Sequence, residues 1–237
     1  MNKSQTQNVN YQKLLDKVIE QVKEQTAKSG VKPTLLLHAC CGPCSSYVIE
    51  YLASIFDITI YYYNPNIHPE AEYTRRLEEL KKFLTVFPES IKNNVKLVVD
   101  KYDTKDYFDA TNVLVETELQ DEPEKGERCR RCYKLRMEKA YLYASQNNFD
   151  WYTTTLSISP YKDSQMINVI GNNLQNGKDN DFALLENLKH VTKFLPSDFK
   201  KNSGFLRSTQ LSREYGLWRQ EYCGCIYSMR TAVKEDL

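Results

Sequence analysis

Short apolar runs alternate with longer polar stretches along this chain. The runs "TLLLH", "ITIYYY" and "VKLVV" are too short for buried helices and rich in leucine, β-branched and aromatic side chains, which predicts strands over 34–38, 57–63 and 95–99. Leu14, Leu15, Val18, Ile19 and Val22 fall on one helical stripe, predicting an amphipathic helix over 11–28 that packs outside the sheet. Further helices are predicted over 45–54, 70–84 and 130–146, with a helical turn at "DTKDYFDA". Strands over 151–155 and 191–195, a helix after Ser157, and terminal helices broken near Gly216 and at "YCGC" complete the pattern. The acidic stretch "ETELQDEPEKGER" reads as solvent-exposed or mobile, an insertion or lid.

Alternating strands and helices indicate an α/β fold with a parallel sheet. The expected division is an N-terminal helical extension over 1–30 and a single α/β domain over 31–237 that includes the C-terminal helical section. In such a sheet the strand ends share one edge, so the junctions near Cys40, Asn64 and Ser157 are expected to converge there.

The formal net charge of +1 over 237 residues does not announce a nucleic-acid binder, so any such contact depends on a local cluster. The start "MNKSQTQNVNYQ" has no apolar signal core, and no run approaches the roughly 20 apolar residues that span a bilayer. A cytoplasmic protein without membrane contact is the expectation.

Seven cysteines change the picture, because an odd number in a reducing compartment favours metal binding or thiol chemistry over structural disulfides. They form three groups: Cys40, Cys41 and Cys44 in "HACCGPCSS"; Cys129 and Cys132 in "RCRRCYK"; Cys223 and Cys225 in "YCGC". In an extended chain the adjacent Cys40 and Cys41 point apart, whereas Cys40 and Cys44 approach across a turn. Cys129 and Cys132 open a helix, where N–H groups and arginines favour thiolates. Two such pairs supply four sulfurs, suited equally to zinc or to an iron-sulfur cluster. For "YCGC", a local disulfide, a metal site and two unrelated thiols all remain open.

The segments "HACCGPCS", "YYYNPNIHPEAEY", "RCRRCYKLRME", "TTTLSISPYKD" and "WRQEYCGC", in this order over about residues 34–225, resemble the cobalamin-independent epoxyqueuosine reductases of the QueH family. The resemblance implies a Rossmann-like, nucleotide-alpha-hydrolase-like sheet flanked by helices. It also implies reduction of epoxyqueuosine at the wobble position of tRNA to queuosine, with a [4Fe-4S] cluster, no cobalamin, and an electron donor yet to be identified. Cys40, Cys44, Cys129 and Cys132 are the implied cluster ligands. Cys41 either exchanges roles with Cys40 or binds a second metal, an additional iron, and the family tolerates a carboxylate at the position of Cys44. Cys223 and Cys225 match the family's C-terminal "CGC" element, read as a redox-active disulfide pair with a structural or idle pair as the alternative.

Departure of the epoxide oxygen requires protons, for which Asp163, Tyr161, Tyr63 and His68 are candidates. Helix capping competes for Asp163, core packing for Tyr63 and a turn hydrogen bond for His68. His38 reads as a supporting or core histidine. Arg128, Arg130, Arg131, Lys134 and Arg136, with Arg207, Arg213 and Arg219, are the candidate phosphate contacts for RNA, against a solvated helix surface. A zinc-stabilised RNA-binding module without catalysis, or a redox enzyme for another modified nucleotide, are the alternatives to the reductase.

Overall fold

The structure, a computed structural model, describes residues 9–178 and 190–229. The first eight residues of the expected N-terminal extension and the last eight of the C-terminal section lie outside them. Among the described residues one parallel sheet is built from β1 (Thr34–His38), β2 (Asp57–Tyr62), β3 (Lys96–Val99), β4 (Trp151–Thr154) and β5 (Lys193–Phe194). The strand order is β3-β2-β1-β4-β5, so the chain reverses its direction of travel across the sheet between β1 and β4. The crevice at such a reversal, beyond the carboxyl ends of the strands, is where open parallel sheets bind ligands.

Strand alternation divides the core. Leu35, Leu37, Ile58, Ile60 and Tyr62 face one side, where they meet helices α1 (Tyr11–Ser29), α2 (Gly42–Leu52) and α3 (Glu70–Val86). Leu36, Tyr61 and Tyr63 face the other side and meet α6 (Glu127–Gln146) and α7 (Ser164–Gln175). Of the remaining helices, α4 (Pro88–Lys92) packs on α3 and α2, α5 (Thr104–Thr111) on α6, and α8 (Gly204–Glu214) on α2. Leu35, Leu36 and Leu37 are fully buried, each contributing about 1.5–3 kcal/mol by area burial.

Helix α1 buries Leu15, Ile19 and Val22 in the same cluster as β1, while Leu14 is exposed and lies off that stripe. The helix stops at Gly30, whose φ of 72° suits a residue without a Cβ, and whose N–H donates to the Thr26 carbonyl.

Three local expectations change. Helix α2 begins at Gly42 rather than at 45, because the chain turns at Cys40 and Cys41 acts as N-cap, its sulfur accepting from the Cys44 N–H. Helix α6 begins at Glu127 rather than at 130. The acidic stretch before it is fastened rather than free. Leu119 is buried, and the Glu122 carboxylate accepts from the backbone N–H groups of Glu127 and Arg128, each at 2.7 Å. A carboxylate there satisfies orphan donors of the first turn and complements the helix dipole.

Candidate metal centre and active site

The ends of β1, β2 and β4 meet around His38. Its Nδ1 lies 2.8 Å from the Thr154 hydroxyl and its Nε2 3.1 Å from the Tyr63 carbonyl, so one imidazole ties three strand ends together. Complete burial pushes its pKa down to about 3, which keeps the ring neutral. The Asn64 amide donates to the Ala39 carbonyl at 2.9 Å and accepts from Arg136 at 2.6 Å. The three junctions expected to converge therefore do so.

Cys40, Cys41 and Cys44 sit at this corner, with all three sulfurs within 4.8 Å of one another. The adjacent Cys40 and Cys41 sulfurs are 3.8 Å apart, which corrects the expectation that they diverge. The chain has already left the strand at Cys40, so the alternation of side chains across a strand no longer applies. The thiols titrate as a set. Hydrogen bonds to Cys41 and Cys44, followed by the Lys162 and Arg136 cations, hold Cys40 well below the usual thiol range. Burial, reinforced by Cys40, pushes Cys41 up to about 12, and the Cys40 sulfur holds Cys44 well above its ordinary value.

Cys129 and Cys132 occupy one buried face at the start of α6. Burial pushes them up to about 11 and about 12, so desolvation outweighs the helix terminus and the arginines expected to favour thiolates. The neighbouring guanidiniums point elsewhere: Arg128 bonds to the Leu119 and Gln120 carbonyls, and Arg131 to Glu116 and Glu127. Cys223 and Cys225 lie within electrostatic reach of Cys129 and Cys132. All seven cysteines are separate thiols in the structure. Cys40 and Cys44 are thus grouped with Cys41, and Cys129 and Cys132 with Cys223 and Cys225. Arg136 and Lys162, both buried, interact with sulfurs of both groups.

A cavity of about 390 Å³ opens beside this corner, with Cys44, Lys162, Arg219, Gln220, Tyr222 and Cys223 in its lining. Tyr161 is also at the cavity and is 68 % exposed. The other proton-donor candidates are engaged elsewhere. Asp163 caps α7 by accepting from the Gln165 and Met166 N–H groups, and Tyr63 donates to Asp106 at 2.8 Å. His68 packs on Tyr107 and Phe108, its Nδ1 2.8 Å from the Asn66 carbonyl.

The basic residues do not form one patch. Arg128 and Arg136 are buried, and Arg207 pairs with Glu50. Arg130, Arg131 and Lys134 line a separate surface groove with Asn112 and Glu116, while Arg213 is exposed on α8.

The segment 217–225 crosses the corner and is fixed by side chains that the sequence did not single out. Arg76, 1 % exposed, pairs with Glu72 at 2.6 Å and donates to the Tyr222 and Cys223 carbonyls at 3.2 and 3.1 Å. Gln220 donates to the Cys41 sulfur at 3.2 Å. Lys162 and Gln220 lie inside the motifs "TTTLSISPYKD" and "WRQEYCGC", and Arg76 just after "YYYNPNIHPEAEY", but nothing in residue type or spacing marks them.

The donor set fits a metal-thiolate group. At this corner the Asn66 amide N–H and Arg136 Nε–H are buried without hydrogen-bond partners. Such orphans are rare in a complete structure. The buried cations Arg136 and Lys162 likewise require negative charge opposite them. An anionic cluster of metal-bound thiolates supplies that charge, and neutral thiols do not.

Residues 35–231 match the family described as "Epoxyqueuosine reductase QueH". The chain belongs to the QueH family of epoxyqueuosine reductases. It is 38 % identical over 229 residues to epoxyqueuosine reductase QueH of Streptococcus pyogenes serotype M1, covering 97 % of this chain and 82 % of that protein. The Staphylococcus epidermidis protein of the same name is 36 % identical over 235 residues, covering 99 % of this chain and 90 % of its own length. The Staphylococcus aureus protein is 34 % identical over 228 residues, covering 96 % and 87 %. No helix among the described residues of this QueH chain is long and apolar enough to cross a membrane.

Proposed function

We propose that this chain reduces epoxyqueuosine in tRNA to queuosine in the cytoplasm, on a Rossmann-like, nucleotide-alpha-hydrolase-like catalytic domain over 31–237. Two electrons and two protons convert the epoxide to a carbon-carbon double bond and one water. The observation that carries this reading is the convergence of the three-thiol set with an adjoining cavity in a chain that belongs to the QueH family.

The residues that would hold a [4Fe-4S] cluster are drawn from Cys40, Cys41, Cys44, Cys129 and Cys132, and the fifth sulfur is left for an additional iron. When bound, this group would relay electrons from the unidentified electron donor and offer a Lewis-acidic iron for the departing oxygen. Arg136 and Lys162 compensate the charge of the sulfurs. Tyr222 and Phe205 give the cavity aromatic walls on which a base turned out of the anticodon stacks. Lys162 and Arg219 place cations at its polar end. Tyr161 stands at the cavity, while Asp163, Tyr63 or His68 would have to release a present partner or move a proton through water to act as acids. Cys223, in the cavity wall, and Cys225 form the proposed redox-active pair. Arg130, Arg131, Lys134 and Arg213 are the solvent-reachable candidates for RNA phosphate.

The test is an anaerobic assay of protein reconstituted with iron and sulfide, supplied with a low-potential chemical reductant and RNA containing epoxyqueuosine. Nucleoside mass should show loss of one oxygen. Unchanged epoxyqueuosine at verified metal loading sinks the reading, and zinc without iron or sulfide after reconstitution favours an RNA-binding module.

A further inference from the structure

The Cys41 sulfur receives two N–H donors. One is the backbone N–H of Cys44 at 3.4 Å, fixed by the first turn of α2. The other is the side-chain amide of Gln220 at 3.2 Å, which also lies 3.9 Å from the Cys44 sulfur. Gln220 comes from 179 residues further along the chain, so this bond is a product of tertiary structure. Its oxygen is buried without a donor, and its nitrogen is the end turned toward the sulfurs. An amide N–H suits a sulfur that acts as an acceptor, and metal-bound thiolates are acceptors only.

The amide is held before any metal arrives. The Trp218 N–H donates to Glu79 at 3.2 Å and the Trp218 ring lies 3.7 Å from the Arg75 guanidinium carbon. On the other side of Gln220, the Tyr222 hydroxyl donates to the His68 carbonyl at 2.5 Å, and Arg76 clamps the carbonyls of Tyr222 and Cys223. An N–H donor fixed on both flanks keeps its bond to sulfur in either oxidation state of a bound metal. Hydrogen bonds to ligand sulfur draw off charge and favour the reduced form.

We propose that Gln220 sets the reduction potential of the metal held at Cys40, Cys41 and Cys44 by donating its side-chain N–H to the Cys41 sulfur. Gln220 is thereby a tuning residue, not a ligand. The inference rests on the reading that this triad binds a redox metal, and it is independent of the substrate.

The test compares wild-type protein with Gln220→Leu and Gln220→Glu after anaerobic reconstitution with ferrous iron and sulfide. Leucine removes the donor, and glutamate keeps the length but turns an anionic oxygen toward the sulfur. Metal content should be equal in all three. The midpoint potential should shift negative in Gln220→Leu and further negative in Gln220→Glu. In the same proteins loaded with cobalt(II), the sulfur-to-cobalt charge-transfer band should move to longer wavelength in Gln220→Leu. Equal midpoints and equal bands at equal loading overturn the proposal. So does loss of metal from a folded Gln220→Leu protein, which makes the residue a holder of the metal. Wild-type turnover of epoxyqueuosine RNA is measured alongside; absent turnover with the expected shift in midpoint removes the reductase reading and leaves the tuning role standing.

Discussion

Replacing Arg76 with methionine isolates the clamp that holds the segment carrying Gln220 and Cys223. Arg76 is 1 % exposed and its partner carboxylate on Glu72 is 10 % exposed, so the pair lies almost entirely out of water. Methionine retains much of the packing volume but leaves Glu72 without its cation and two carbonyls without donors. Breaking one side of a buried pair costs about 3–5 kcal/mol, a large part of the ~5–15 kcal/mol typical of a whole domain. At ~2–4 °C per kcal/mol for a chain of this size, the melting temperature should fall by roughly 10 °C. The companion variant Arg76→Met with Glu72→Gln removes the stranded charge as well, and should recover part of the loss. Denaturant unfolding of the metal-free protein under reducing conditions gives both values. Thiol labelling should show faster reaction at Cys223 in the single variant, because its carbonyl anchor is gone. A single variant within about 1 kcal/mol of wild type, or a double variant no more stable than the single, refutes the account of Arg76 as a buried ion-paired clamp.

Other outcomes follow from the same geometry. Glu122→Ala removes two acceptors from the start of α6 and should cost about 1–2 kcal/mol in unfolding experiments, with little change if the acidic stretch is detached. Gly171→Ala places a methyl 2.4 Å from Phe194 ring atoms between α7 and β5; overpacking there should cost about 1–3 kcal/mol, measured by thermal unfolding. Cys41→Ser should reduce iron bound per chain after reconstitution, and full loading removes Cys41 from the ligand set. Arg130→Ala with Arg131→Ala should weaken RNA binding and lower its salt slope by roughly 0.7–0.9 for each phosphate no longer neutralised, with metal content unchanged. Loss of metal alone would place these arginines in support of α6.

Periodicity carried the framework because burial is a local requirement. "TLLLH" must be a buried strand wherever it sits, and 34–38 is the observed span of β1. Likewise Leu15, Ile19 and Val22 form a helical stripe in any fold that offers an apolar surface. The cysteine groups were legible for a similar reason, since sulfur-rich spacing advertises its chemistry without a partner. Local pattern misled where a distant or unusual partner decided the outcome. The acidic stretch looks mobile until Glu122 is seen capping α6. Cys129 and Cys132 look like activated thiols until burial and the engagement of the nearby arginines are counted.

Sequence by itself therefore determined the α/β alternation, the strand-to-helix corner at Cys40 and the presence of thiol chemistry, all set by residue type and short-range spacing. Only tertiary structure decided which cysteine groups meet, because folding brings Cys223 and Cys225 to Cys129 and Cys132 and the strand order places the ends of β1, β2 and β4 side by side. It alone also brought in Arg76, Lys162 and Gln220. Their roles come from burial and from partners far along the chain, and those are properties of packing that no local pattern encodes.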